Sequence, residues 1–148
     1  MAPKIFKQTP DQKSQAIAEA KRKTEEAASQ LVNFSLKYLD INHEKFPCFD
    51  HNIDYYQGMV GRLKDLCSMK KMELMANRSS TLRMHPIKWD ETSEKNGFGI
   101  PGEEQLVDTP YQFSLSSNEN GRVHGFFILN TYYIVWIDKD HKLYPKKN

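Results

Sequence analysis

Tyr111-Gln112-Phe113-Ser114-Leu115-Ser116-Ser117, Arg122-Val123-His124-Gly125-Phe126-Phe127-Ile128 and Tyr132-Tyr133-Ile134-Val135-Trp136-Ile137-Asp138 are three consecutive runs of aromatic and β-branched residues. They point to a β-sheet, because such residues suit a pleated, half-buried surface. Between the first two runs stands Asn118-Glu119-Asn120-Gly121, whose Asn-Gly pair supplies the positive φ angles of a tight hairpin. The second connection, around Asn130, is also short, so an antiparallel meander is expected. Arg122 and His124 lie two residues apart and share one face of their strand, leaving Val123, Gly125 and Phe127 for the other. One polar face and one buried face follow.

Upstream of the meander, Pro10 to Gln30 is rich in Lys, Glu, Gln and Ala, and Ile17, Ala20, Ala27 and Leu31 form a thin apolar stripe. This reads as a charged, solvated helix over the first 30 residues, capped by Asp11. From Leu31 the period changes to two, with Val32, Phe34, Leu36 and Tyr38 on one face of a half-buried strand. After Pro47, the residues Ile53, Tyr56, Met59, Val60, Leu63, Leu66 and Cys67 recur at steps of three and four and mark an amphipathic helix. A second short helix through Leu74 and Met75 follows, with Ser68 as its cap. Glu91 to Pro110 contains Gly97, Gly99, Pro101, Gly102 and Pro110 and reads as a long acidic loop, either a shield over a basic site or an insertion. The order of helix, strand, two helices and a three-stranded antiparallel meander packed on the helices gives an α+β fold. Residues 31–148 then make one domain.

The composition agrees with a single domain, since 148 residues can bury roughly two thirds of their unfolded surface. Net charge is +2, but Val60–Asp90 carries +4 and Gly121–Asn148 +3, against −4 over Glu91–Pro110. Two basic segments that meet in space would make a phosphate-facing patch. Cys48 and Cys67 show no CxxC spacing, so two packed, reduced thiols are expected, and the nucleophile reading of either is weak. No run approaches the ~20 apolar residues of a membrane helix, and no apolar secretory core stands at the start. A cytoplasmic protein without a membrane partner is the expectation.

Five histidines are present, yet neither HExxH nor paired CxxC motifs occur, and no glycine-rich phosphate loop lies between a strand and a helix. No metal and no cofactor are expected. Lys88, Arg122, His124, His141 and Tyr144 are more suggestive. Cutting RNA without a metal needs a base for the 2′-hydroxyl, an acid for the leaving oxygen, cations for the phosphorane and an aromatic surface for a base. Set against this, composition alone favours reading Arg122 and His124 as the solvent face of a strand.

His85-Pro86-Ile87-Lys88, Tyr111 to Leu115, Gly121-Arg122-Val123, Tyr132 to Trp136 and His141-Lys142-Leu143-Tyr144, in this order, resemble the RelE/YoeB/HigB superfamily of bacterial mRNA interferases, the toxins of toxin–antitoxin pairs. The resemblance runs from the strand at Leu31 to the C-terminus through short motifs. It implies a metal-independent endoribonuclease that uses the RNA's own 2′-hydroxyl, usually on ribosome-bound mRNA, with a small antitoxin as partner. Arg122 matches the phosphate-stabilising arginine, His141 and Tyr144 the C-terminal pair used for proton transfer and stacking, and Lys88 a basic residue after the second helix. Glu91 or Glu94 stands where some members place a carboxylate base. His124, Arg83 and Lys142 are the expected RNA contacts. The chain departs from the family in its longer, more acidic loop and in having Leu115 and Ser116 where many members place a basic residue. The alternative from another class is a noncatalytic phage- or plasmid-type binding protein of the same fold, engaging a protein partner or nucleic acid.

Overall fold

The run Arg122–Ile128 pairs with Thr131–Asp138 through a two-residue turn, and these strands, β4 and β5, form the centre of the sheet. A computed structural model describes residues 10–77, 79, 82, 84–100, 109–115 and 121–145. Around the central pair, the chain order is α1 (Pro10–Ala28), β1 (Asn33–Ser35), α2 (Ile53–Leu66), α3 (Lys71–Ala76), β2 (His85–Pro86), a 3₁₀ turn at Trp89–Glu91 and β3 (Pro110–Ser114). The sheet has five strands in the order β1-β5-β4-β3-β2, with β1 parallel to β5 and the other pairings antiparallel. The expected three strands are therefore the middle of a mixed α+β sheet, widened by a short strand at each edge. Among the described residues no helix is long and apolar enough to cross a membrane.

The first edge differs from its expected form because the alternation from Leu31 to Tyr38 stops early. Leu39 N–H donates to Leu36 O at 3.0 Å, which turns the chain, and Asp40 N–H then reaches Val135 O at 2.9 Å. Only Asn33–Ser35 remains as strand. Leu36 is left exposed, and Tyr38 crosses to the opposite layer to pack on Phe126 and Tyr133, away from Val32 and Phe34.

One face of the sheet packs on α2 and α3. Val123, Tyr132, Ile134 and Ile137 meet Leu66 and Leu74, with Tyr55, Met59 and Leu63 completing the helical stripe. This stripe leaves Ile53, Val60 and Cys67 exposed, contrary to their expected place on the apolar face; Cys67 stands past the last residue of α2, Leu66, as its C-cap. Cys48 alone is a buried thiol, and burial pushes its pKa up. Helix α3 begins after Lys70, whose N–H is accepted by the Glu73 carboxylate at 3.4 Å, so Ser68 is not its cap. Asp11 sits inside the first turn of α1, not before it, and most of α1 is exposed, including Ile17.

The opposite face was expected to be polar and open, but it is buried. Phe46, Ile87, Phe126, Val135, Trp136 and Leu143 form a second core, with Trp89, Phe98 and Ile100 packed against it. The described part of the acidic loop is thus a packed cover: Phe98 meets Trp136 edge-on at 4.9 Å and Ser93 N–H donates to Leu143 O at 2.7 Å. Residues 101–108 of that loop, and Asn118 to Asn120 of the expected hairpin turn, lie outside the described residues. Trp89 and Phe98 are only partly buried, so each contributes less than the about 1.5–3 kcal/mol of a fully buried side chain of this kind, yet together they tie an irregular segment to the core.

Candidate functional site

A polar row crosses the second face where this cover stops. By strand register, His85 of β2 lies opposite Gln112 of β3, and Gln112 opposite His124 of β4; Ser114, Arg122 and Asp138 form the next row. After β5 the chain turns back over this end of the sheet, bringing His141 and Tyr144 to it. The result is a cleft of about 550 Å³ lined by His85, Pro86, Lys88, Glu91, Gln112, Arg122, His141 and Tyr144. Arg122, His141, Tyr144 and Lys88, singled out from the sequence as catalytic, therefore share one cleft.

The other expected contacts fare differently. His124 is fully buried beneath the cleft floor and presents no RNA-binding surface, because Phe46 and Trp136 close over its face of the sheet. Lys142 is exposed but does not line the cleft, and Arg83 lies outside the described residues. Glu91 lines the cleft, whereas Glu94 is committed elsewhere, in an ion pair with Lys45 Nζ at 2.7 Å. His85 and Gln112 had not been singled out as site residues. Gln112 is 1% exposed, and its Nε2 approaches His85 Nε2 at 2.7 Å.

Several contacts fix the cleft walls. Tyr144 Oη accepts the Lys88 N–H at 3.0 Å, and burial raises the phenol's pKa, so the tyrosine keeps a proton to donate. Its ring meets that of His85 edge-on at 6.4 Å, giving the cleft an aromatic side. Arg122 Nη1 donates to Gly121 O at 3.2 Å. His141 has φ +57°, the left-handed region that few non-glycine residues adopt, and its N–H points to Asp138 O at 3.4 Å. The arrangement sets two cations, two imidazoles, a protonated phenol and the Glu91 carboxylate around one opening. Among the described residues no group of three or more His, Cys, Asp or Glu is arranged to hold a metal ion.

Beneath the floor, His124 Nε2–H donates to Asp138 Oδ2 at 3.0 Å, while His124 Nδ1 is buried without a hydrogen-bond partner. Burial lowers the pKa of His124 and keeps the ring neutral. Burial alone would raise Asp138, but the N–H donors of His124, Lys142 and Leu143 outweigh it and hold the carboxyl below 3.8. The unfolded chain takes up a proton at His124 near pH 6.5 that the folded chain resists. Stability from this residue is therefore complete above that pH and is lost as pH falls below it. Urea midpoints should decline from about pH 7.5 to about pH 5, and His124→Gln should flatten the decline. An unchanged slope in that variant would show that His124 is not the group responsible.

Comparison of the chain with protein-family models, curated proteins and solved structures returns no match.

Proposed function

We propose that this cleft is the active site of a RelE-like, metal-independent endoribonuclease, an mRNA interferase of the toxin–antitoxin kind. The observation that carries the reading is the convergence of Arg122, His141, Tyr144 and Lys88 on one opening, although they come from three separate stretches of the chain. Arg122 and Lys88 bind the scissile phosphate and stabilise the extra negative charge of the phosphorane, where fixed cations lower the barrier most. His141 takes the proton from the 2′-hydroxyl as its oxygen bonds to phosphorus. The P–O5′ bond breaks, and Tyr144 gives its proton to the departing O5′. The products are a 2′,3′-cyclic phosphate and a 5′-hydroxyl end, and solvent resets both side chains. The ring of Tyr144, with His85 beside it, offers a surface for a splayed base.

The direct test is cleavage of mRNA by purified protein, with ribosomes during translation and alone in excess chelator. Cleavage that persists on bare RNA in chelator supports the metal-free reading, and cleavage only during translation supports the ribosome-bound substrate. A noncatalytic module binding RNA or a protein through the same cleft is the second reading. It is favoured by the low exposure of Arg122, at 3%, and RNA retained intact under both conditions would establish it. Co-purification of a small protein that masks the cleft supports the antitoxin partner.

A further inference from the structure

We infer that His124 and Asp138 are positioning residues that set His141 in the cleft from below. The catalytic consequence rests on the function proposed above, but the positioning does not. Asp138 ends β5, and its carboxylate accepts three N–H groups: Lys142 N–H on Oδ1 at 2.7 Å, and Leu143 N–H and His124 Nε2–H on Oδ2 at 2.9 and 3.0 Å. Two of these donors directly follow His141, whose own N–H faces Asp138 O. The loop from Asp138 to Leu143 is thereby wrapped around one carboxylate, and His141 is held in its left-handed conformation at the apex. His124 anchors that carboxylate to β4. The imidazole is itself fixed by Phe46 and Trp136, at ring distances of 6.1 and 6.4 Å. Only an ionised acid suits this place, since an amide would turn its own N–H toward one of the backbone donors. The titratable and charged groups facing His124 are Asp138, Arg122 and His85, and Asp138 is the one bonded to it.

Three variants test the inference: Asp138→Asn, His124→Leu and His124→Gln, the last keeping an N–H donor for the carboxylate. Amide hydrogen exchange at Lys142 and Leu143 is expected to speed up tenfold or more in Asp138→Asn and His124→Leu, and to stay near wild type in His124→Gln. Cleavage should follow the same order, with kcat falling at least tenfold and KM little changed, because His141 is displaced and the phosphate-binding cations are not. Should Asp138→Asn fail to fold, the contrast between the two His124 variants decides. Equal loss in His124→Gln and His124→Leu would overturn the inference and assign His124 to packing alone. Wild-type exchange in His124→Leu would overturn it as well. The exchange measurement needs no activity, so failure of the cleavage reading and failure of the positioning are separately visible.

Discussion

His141→Ala is expected to slow RNA cleavage by roughly 10²- to 10⁴-fold, the loss typical of removing a general acid or base. The residue stands at a loop apex, half-buried, with the sheet beneath it carried by other side chains, so the urea midpoint should move little. Arg122→Ala should lose a comparable factor of about 10²–10³ by removing a fixed charge from the phosphorane. Arg122→Lys should restore little, since a point charge does not reproduce the planar fork of a guanidinium. Cleavage at wild-type rate in His141→Ala would assign the base to another group of the cleft, such as His85, the other imidazole that lines it.

Gly125→Ala is expected to be the most damaging single methyl addition in the described sheet, destabilising the protein by about 3–5 kcal/mol or more. A Cβ there would collide with Tyr133 O on the neighbouring strand and come within 2.8 Å of Tyr132 Cε1. The cause lies in how Tyr132 is stored: its ring passes over Gly125 so that its hydroxyl donates to Tyr111 O on β3 at 2.7 Å. At this same position β4 skips Val135, which has no opposite partner, and the strand shifts its register. A backbone that already carries a bulge has no slack to move away from a methyl group. Against a total stability of about 5–15 kcal/mol for a typical domain, such a loss leaves little folded protein. Soluble yield and the urea midpoint measure it, and a wild-type midpoint would show that Tyr132 can find another place.

The core strands were legible because period-two alternation and aromatic content mark them directly, as Phe113, Val123, Phe126 and Ile137 show by their burial. Gly121 also adopts the positive φ, +96°, that an Asn-Gly turn requires. The register was not legible. A strand running to Ser117 would place that residue opposite Arg122, whereas Ser114 takes the place, three residues earlier. An odd shift exchanges the two faces of β3 relative to β4, which is why Gln112 went unseen as a neighbour of the Arg122 face. A longer turn places the polar positions Gln112 and Ser114 beside His124 and Arg122, as the second polar row. The burial of His124 was hidden for a different reason. Its cover comes from Phe46, in a segment without regular periodicity, and from Trp136 on the neighbouring strand, and a strand's alternation says nothing about what irregular chain will pack on it. Arg122, His141, Tyr144 and Lys88 were found by chemical type, and their convergence depends on the return of the chain after β5.

Attack by the RNA's own 2′-hydroxyl is tested with an mRNA and a matched copy carrying a single 2′-deoxy nucleotide at the mapped cut, each translated in a reconstituted system with wild-type protein. The expected result is a cut that leaves a 2′,3′-cyclic phosphate and a 5′-hydroxyl on the all-ribose message and no cut at the deoxy position. Cleavage of both messages at the same rate, or neither message cut at any protein concentration that saturates binding, would contradict it.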